Sequence, residues 1–417
     1  MYSCSIRIPA PSASKIFLFF LFFSLSIIPP VFSFAQTNSQ EGVSSAALAG
    51  ATKSRLDDNY LREMFGKLLP KLESALEMKD LHETLPKRTL IYGKDQKTNQ
   101  EEINVMLDQA IEVLNISDVN EDRVAIRDLQ KRIKEAYISI ARYREQRLSA
   151  PPKETLGMLG KMNPLQKSKE DYDALIAGEE GNIAGYQEKI GEIKSNFTRK
   201  LQEIGLSIAE EGVNSLLDSV VGDDFIKLCN VFDNLKKVVA QLQQLTEDSG
   251  ESLEIAKRYY GMYVILNEIL DRIQKQYIGS ITGEYIPALQ EFIQSAKNNI
   301  EEAKRLAAEN GEYKERLNTN IDSNQLTIEA SEKYIDYLRR QADEIAKENA
   351  EVVKNAALAN NTYKTVKVSG GVAVLIQDGR QWFEALMKLK MPELRGFENK
   401  VLKQEFLRLT EEMREMR

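Results

Sequence analysis

From Ile286 to Ala359, apolar and small residues return at alternating steps of three and four. The series opens with Ile286, Leu289, Ile293, Ala296, Ile300, Ala303 and Ala307 and closes with Ile345, Asn349, Val352, Ala356 and Ala359. Such a spacing draws one stripe along one face of an α-helix and suits no strand. Asn310-Gly311 has the composition of a turn, but the count passes through Asn310, Lys314 and Leu317 without a missed step. The unbroken phase therefore predicts a single helix over about residues 285–359, on the order of 110 Å long at about 1.5 Å per residue. Asn310, Asn324 and Asn349 fall within the stripe, where polar side chains cost stability and set register.

Earlier segments carry the same signature in heptad form. Ile126, Ile133 and Ile140 are interleaved with Leu129, Ala136 and Tyr143, and Ile176, Ile183, Ile190, Phe197 and Ile204 with Tyr172, Tyr186 and Ile193. Phe225, Phe232 and Val239 alternate with Leu228, Leu235 and Leu242, and residues 253–278 are apolar on several faces, which places that helix centrally. Leu56, Tyr60, Met64, Leu68, Leu72 and Leu76 mark a first helix that Pro70 should kink or restart. "TNQE", Thr98 to Glu101, and "SIAE", residues 207–210, read as capping boxes, and Asp223 or Asp224 as the cap of the helix that follows. The fold expected is all-α, an elongated antiparallel coiled-coil or helical bundle.

Gly178, Gly181, Gly185 and Gly191 are out of place in a helix, each costing about 1 kcal/mol against alanine. Ala177, Gly181 and Gly185 lie four apart, so close approach of a neighbouring helix across a small-residue groove is the expected compensation. Tyr259, Tyr260 and Tyr263, at helical spacing, are read as core.

The N-terminus has an export layout. Arg7 and Lys15 precede the apolar run "IFLFFLFFSLSII", then Pro29, Pro30 and a small-residue site ending at Ala35. Residues 1–35 are read as a signal peptide cleaved after Ala35, against the alternative of a retained anchor. Residues 36–52 follow as a flexible linker, 53–148 as an N-terminal helical segment, and 149–167 as a Pro/Gly-rich boundary or interhelix loop. Residues 168–417 form the main coiled-coil or bundle domain.

Cleavage removes two cations and no acid, taking the formal charge from -7 to -9. An acidic chain lacks the basic surface that nucleic acid or anionic lipid requires. Cys4 leaves with the signal and Cys229 remains alone, which excludes a disulfide within one chain; Cys229 is read as a small buried apolar side chain. The single histidine, His82, has no second histidine or cysteine near it in sequence and is read as a solvated loop residue.

"GMLGKM", residues 157–162, lacks the spacing and hydroxyl of a phosphate loop. Asn318, Asn320, Asp322, Asn324 and Glu329 occupy the alternating places of a calcium loop, but Ser323 stands where the turn needs glycine. Sequons at Asn115, Asn196 and Asn360 matter only in a eukaryotic secretory route. No catalytic, cofactor or metal residue is assigned.

"VSGGVAVLIQDG", residues 368–379, can be read as a hairpin of two strands or as a helix with a break near Ser369 to Gly371; Tyr363, Val366, Gly370 and Ala373 favour the helix. The function expected is that of an exported, non-enzymatic scaffold or adaptor of the cell envelope, periplasmic or secreted. Its partner would be an envelope protein or a second copy, with no nucleic acid and membrane contact not favoured. The alternative is a membrane-active bundle, pore-forming or lipid-associating, that uses Val374 and Leu375 as an apolar tongue.

Overall fold

A computed structural model describes residues 45–88, 93–116, 118–154, 167–203, 206, 210–248, 252–309, 311–368, 384–389, 397 and 402–416. Contacts divide the chain into two units, residues 1–56 and 57–417. Residues 1–44, which hold the expected signal peptide and most of the expected linker, fall outside the described residues, as do Gly157 to Met162 and residues 369–383.

All regular structure among the described residues is helical. The helices are α1 (Ser45–His82), α2 (Gln96–Leu114), α3 (Asp118–Ser149), α4 (Lys169–Glu203), α5 (Glu210–Asp218) and α6 (Gly222–Asp248). They continue with α7 (Leu253–Ser280), α8 (Ile286–Glu309), α9 (Lys314–Val368) and α10 (Lys403–Glu415). A π-helical turn, Ile281–Tyr285, joins α7 to α8 without a break. Residues 384–388 add a short helical stretch.

The π turn has a cause in the sequence. Ile273, Tyr277, Ile281, Tyr285 and Leu289 are all buried and recur at steps of four. On a regular helix each such step drifts about 40° around the axis, so the row would wind off the core. One turn closed by the amide of Ile286 on the carbonyl of Ile281 takes up the surplus residue.

The long helix is not where the phase count places it. Residues 253–309 run as one rod, about 85 Å long at about 1.5 Å per residue. The expected helix over about 285–359 is interrupted: α8 ends at Glu309, Gly311–Tyr313 form a 3-10 turn, and α9 returns antiparallel along α8 and then α7. Asn299 Nδ2 donates to Asn324 Oδ1 at 3.2 Å, and Asn349 Nδ2 to Asp271 Oδ1 at 2.9 Å and Gln274 Oε1 at 3.1 Å. The count survived the turn only because Asn310 and Lys314 were admitted to the stripe. In a tight hairpin both arms carry the same apolar stripe, each facing the other, so periodicity alone cannot separate the hairpin from a continuous rod. Asn324 and Asn349 form hydrogen bonds across the hairpin.

α7 forms the centre of the core. Tyr260 and every residue from Met262 to Leu266 are at most 4% exposed, so this stretch is buried on all faces. Leu68 and Leu72 of α1, Ile103 and Ile111 of α2, Phe225 and Leu235 of α6, and Leu338 and Ile345 of α9 belong to the same core. Gly261 permits the approach of α1, since a Cβ there would stand 2.3 Å from Leu76 Cδ2. α1 runs through Pro70 without ending. The cap of α2 lies three residues before the expected one. Asp95, whose carboxylate accepts the amide of Thr98 at 2.9 Å, takes the capping role and leaves Thr98 inside the helix. α6 begins at Gly222, so Asp223 and Asp224 lie in its first turn. Residues 207–209 lie outside the described residues, and α5 begins at Glu210.

α3 and α4 lie along one another as a second antiparallel hairpin, which makes residues 149–167 the connection between its two helices. Arg147 meets Asp173 at 2.6 Å, Arg144 meets Glu180 at 3.4 Å, and Lys200 meets Asp122 at 2.9 Å. Ile126, Phe197 and Leu201 anchor its root in the main core. Further out, Ala136, Ile140 and Ile183 make a separate small cluster of their own. The α8–α9 hairpin repeats the arrangement, with Ala296, Ile300 and Ile328 clustered outside the main core.

Candidate interaction surface

Both hairpins leave the core past the N-terminal end of α6, and the first two carboxylates of that helix hold their roots. The free amides and dipole of a helix N-terminus favour anions there. Asp223 Oδ1 receives Arg123 of α3 at 2.6 Å and also Arg127. Asp224 Oδ2 accepts from the hydroxyl of Tyr285, in the π turn at the root of α8, at 2.6 Å. The α7–α8 rod packs along α6, with Asp224 beside Tyr285 and Phe225 against Tyr277.

α10 sits between the roots. Glu411 reaches Lys134 of α3 at 3.3 Å, while Glu405 accepts from the hydroxyl of Thr327 on α9 at 2.6 Å. Arg414 donates to the carbonyls of Leu217 and Ser219 at 2.9 and 2.8 Å. The buried hydroxyl of Tyr334 accepts the amide of Val220 at 2.8 Å and shares a hydrogen bond with Thr410 Oγ1 at 2.8 Å. Burial pushes the Arg123 guanidinium down to about 10 against the opposing pull of Asp223. It likewise lowers Arg414, and it raises the carboxyl of Asp218 against Lys403 and Lys194. These charges are committed to one another and to backbone carbonyls. They join the roots of the two arms.

Beyond the joint, α3 turns an apolar row to solvent. Tyr137, Ile138 and Leu148 are 55%, 56% and 80% exposed, with Ala141 exposed between them. A shallow depression of about 540 Å³ lies beside Tyr137 and Ile138, lined also by Ile133, Lys134 and Glu411. These residues fall outside the inward heptad positions of α3, which Ile126, Ile133, Ala136 and Ile140 fill. That second apolar row was readable as surplus hydrophobicity in "AYISIARYREQRLS", but a search limited to the seam passes over it. The anchoring arginines carry no such signal, because nothing in sequence joins Arg123 to Asp223 or Arg414 to Ser219.

A second cavity, about 530 Å³, opens between the end of α1, α2 and α7. Arg272 forks onto Asp108 with two contacts of 2.6 Å, Lys79 pairs with Glu268, and Lys275 pairs with Asp271 at 2.8 Å. Each of its cations already holds a carboxylate. His82 lines this cavity as the last residue of α1, half-buried with Nδ1 at 3.3 Å from Asn99 Nδ2, rather than standing in a solvated loop.

The remaining residues singled out by sequence fall as follows. Cys229 is 1% exposed, and burial pushes its thiol well up. Tyr260 and Tyr263 are core, with Tyr259 packed half-buried against them. Asn318, Asn320, Asp322, Asn324 and Glu329 follow one another along α9 and do not converge; among the described residues no group of three or more His, Cys, Asp or Glu could hold a metal ion. No helix among the described residues is long and apolar enough to cross a membrane. Gly178, Gly181, Gly185 and Gly191 do not face a neighbouring helix, for a Cβ at any of them would meet nothing within 4 Å. The groove expected there is open. α10 and the two hairpins define the chain as an all-α bundle with paired helical arms. Comparison with protein-family models, curated proteins and solved structures finds none that matches it.

Proposed function

We propose that the protein is an exported, non-enzymatic scaffold or adaptor of the cell envelope, periplasmic or secreted, that acts through protein contacts made by its arms. The observation that carries this reading is the solvent-facing row Tyr137, Ile138, Ala141 and Leu148 on an arm whose own core is already filled by Ala136, Ile140 and Ile183. Apolar side chains beyond those a hairpin needs for its own packing, rimmed by charge, are what a docking helix presents. The joint at the arm roots supports the same reading, since a docking element works best when its root is anchored.

Site-specific photo-crosslinking tests it in cells exporting the full chain. A crosslinker replacing Ile138 should yield a discrete product of higher mass, whereas one replacing exposed Lys347 on α9 should not. Equal products from both sites, or none from Ile138, would overturn the assignment of this face. Flotation with lipid vesicles that is lost on Val374→Asp and Leu375→Asp would instead establish the membrane-active alternative.

A further inference from the structure

The cavity between the end of α1, α2 and α7 is lined by charges that are already paired and by polar groups that are not. Arg272 holds Asp108, Lys275 holds Asp271 and Lys79 holds Glu268. An anion entering here would have to take one of these cations from its carboxylate, and a cation would have to take a carboxylate, leaving the displaced partner without its countercharge. A neutral ligand breaks no pair. At about 530 Å³ the space falls among small-molecule sites, which run from about 300 to about 1,000 Å³.

The hydrogen-bonding capacity left over is of both kinds and comes from three helices. Asn99, fully buried, donates through Nδ2 to the carbonyl of Met78 at 2.8 Å and to His82 Nδ1 at 3.3 Å. With Nδ1 accepting, the ring proton sits on Nε2, and no group among the described residues takes it. On α2, Gln100 Nε2 donates to Asn104 Oδ1 at 3.3 Å, which leaves Gln100 Oε1 to accept and Asn104 Nδ2 to donate. On α7, Glu268 uses Oε1 for Lys79 and Gln276 uses Nε2 for Asp108, which leaves Glu268 Oε2 and Gln276 Oε1 to accept. Ile103 and Leu107, both buried, give the cavity an apolar floor.

We propose that this cavity binds a neutral sugar, as a free molecule or as the end of a glycan chain. Every hydroxyl of a sugar both donates and accepts, so a ring edged with hydroxyls can use the donors His82 and Asn104 together with the acceptors Glu268, Gln100 and Gln276. The C–H face of the same ring has Ile103 and Leu107 to lie on. None of these residues belongs to the α3 face. The site therefore goes beyond the docking role of that arm, and either can fail without the other.

Saturation-transfer NMR of the full chain reads the binding, with glucose, N-acetylglucosamine, cellobiose and chitobiose as probes and citrate and putrescine as charged controls. At least one sugar should bind with a dissociation constant in the millimolar range, and neither control should bind. His82→Leu and Asn104→Leu should each weaken the sugar at least about tenfold, whereas Ile138→Asp on the α3 face should leave it unchanged. Asn104 bonds only Gln100 through its side chain, so its replacement should keep the parent's melting temperature and separates lost contacts from lost fold. A disaccharide that binds more tightly than its monosaccharide assigns the end of a chain, and equal binding assigns the free sugar. No transfer from any sugar at about 20 mM, transfer from citrate or putrescine alone, or sugar binding indifferent to both cavity variants would overturn the proposal.

Discussion

Gly261→Ala is a sharp test of how α1 packs on α7. A new Cβ would lie 2.3 Å from Leu76 Cδ2, 2.8 Å from its Cδ1 and 3.1 Å from its Cγ, so Leu76 or the helix must move. Alanine in a helix gains about 1 kcal/mol over glycine, while forcing extra volume into a packed core costs about 1–3 kcal/mol. The net expectation is a loss of up to about 2 kcal/mol. Leu76→Ala alone should cost about 2–5 kcal/mol, because Leu76 is only 9% exposed. Combined with Gly261→Ala it removes the clash, so the double variant should be more stable than the sum of the singles by about 1–3 kcal/mol. Urea unfolding of the four proteins, followed by circular dichroism with the slopes compared, measures that coupling. Gly181→Ala, with nothing near its Cβ, serves as the reference and should gain up to about 1 kcal/mol. If Gly261→Ala gains as Gly181→Ala does, or the coupling is zero, the close approach of α1 to α7 is wrong.

The hairpin at Gly311 to Tyr313 has an equally direct check. Asn299 and Asn324 are in hydrogen-bond contact, whereas on a continuous helix they would stand about 38 Å apart. Asn299→Cys with Asn324→Cys should therefore form an intramolecular disulfide under mild oxidation, seen by mass spectrometry of the digested chain; free thiols in the folded protein would restore the continuous rod. The fork of Arg272 on Asp108 holds that carboxyl below its ordinary value, opposed by partial burial. A carboxyl depressed on folding contributes stability above its unfolded value, near 3.8, and loses it as pH falls through the lower folded value. Melting temperatures should thus fall less between pH 5 and pH 2 in Asp108→Asn than in the parent, and an equal fall would show that this pair contributes nothing.

Helical class, the central place of α7 and the burial of Cys229 were legible because each depends on the local spacing of apolar residues. The apolar stripes along α3 and α4 were legible for the same reason, but not that the two helices pair. The reversal at Gly311 to Tyr313 was not, since a hairpin and a rod share one periodicity and only the composition of a short stretch separates them. The glycines of α4 misled in a related way. Spacing shows which residues share a helix face, but not whether anything covers it, and the close approach was at Gly261 instead. For the candidate surface, Tyr137 and Ile138 were visible as apolar residues outside the seam. The joint beneath them depends on Arg123 meeting Asp223 and Tyr285 meeting Asp224. Partners so far apart in sequence leave no local trace.

The position of α10 between the arm roots bears on the order in which the molecule assembles. Each hairpin joins segments adjacent in sequence, so its contacts close over short loops and can form while the chain is still being made. α10 lies at residues 403–415, and its contacts with Lys134, Leu217 and Thr327 span most of the chain. A chain that emerges N-terminus first has both arms in hand before it has the helix that lies between their roots. Until α10 arrives, Tyr334 lacks Thr410 and Lys134 lacks Glu411, and only the first turn of α6 ties the two roots. Emergence of α10 is thus the step that adds a second tie between the two hairpins.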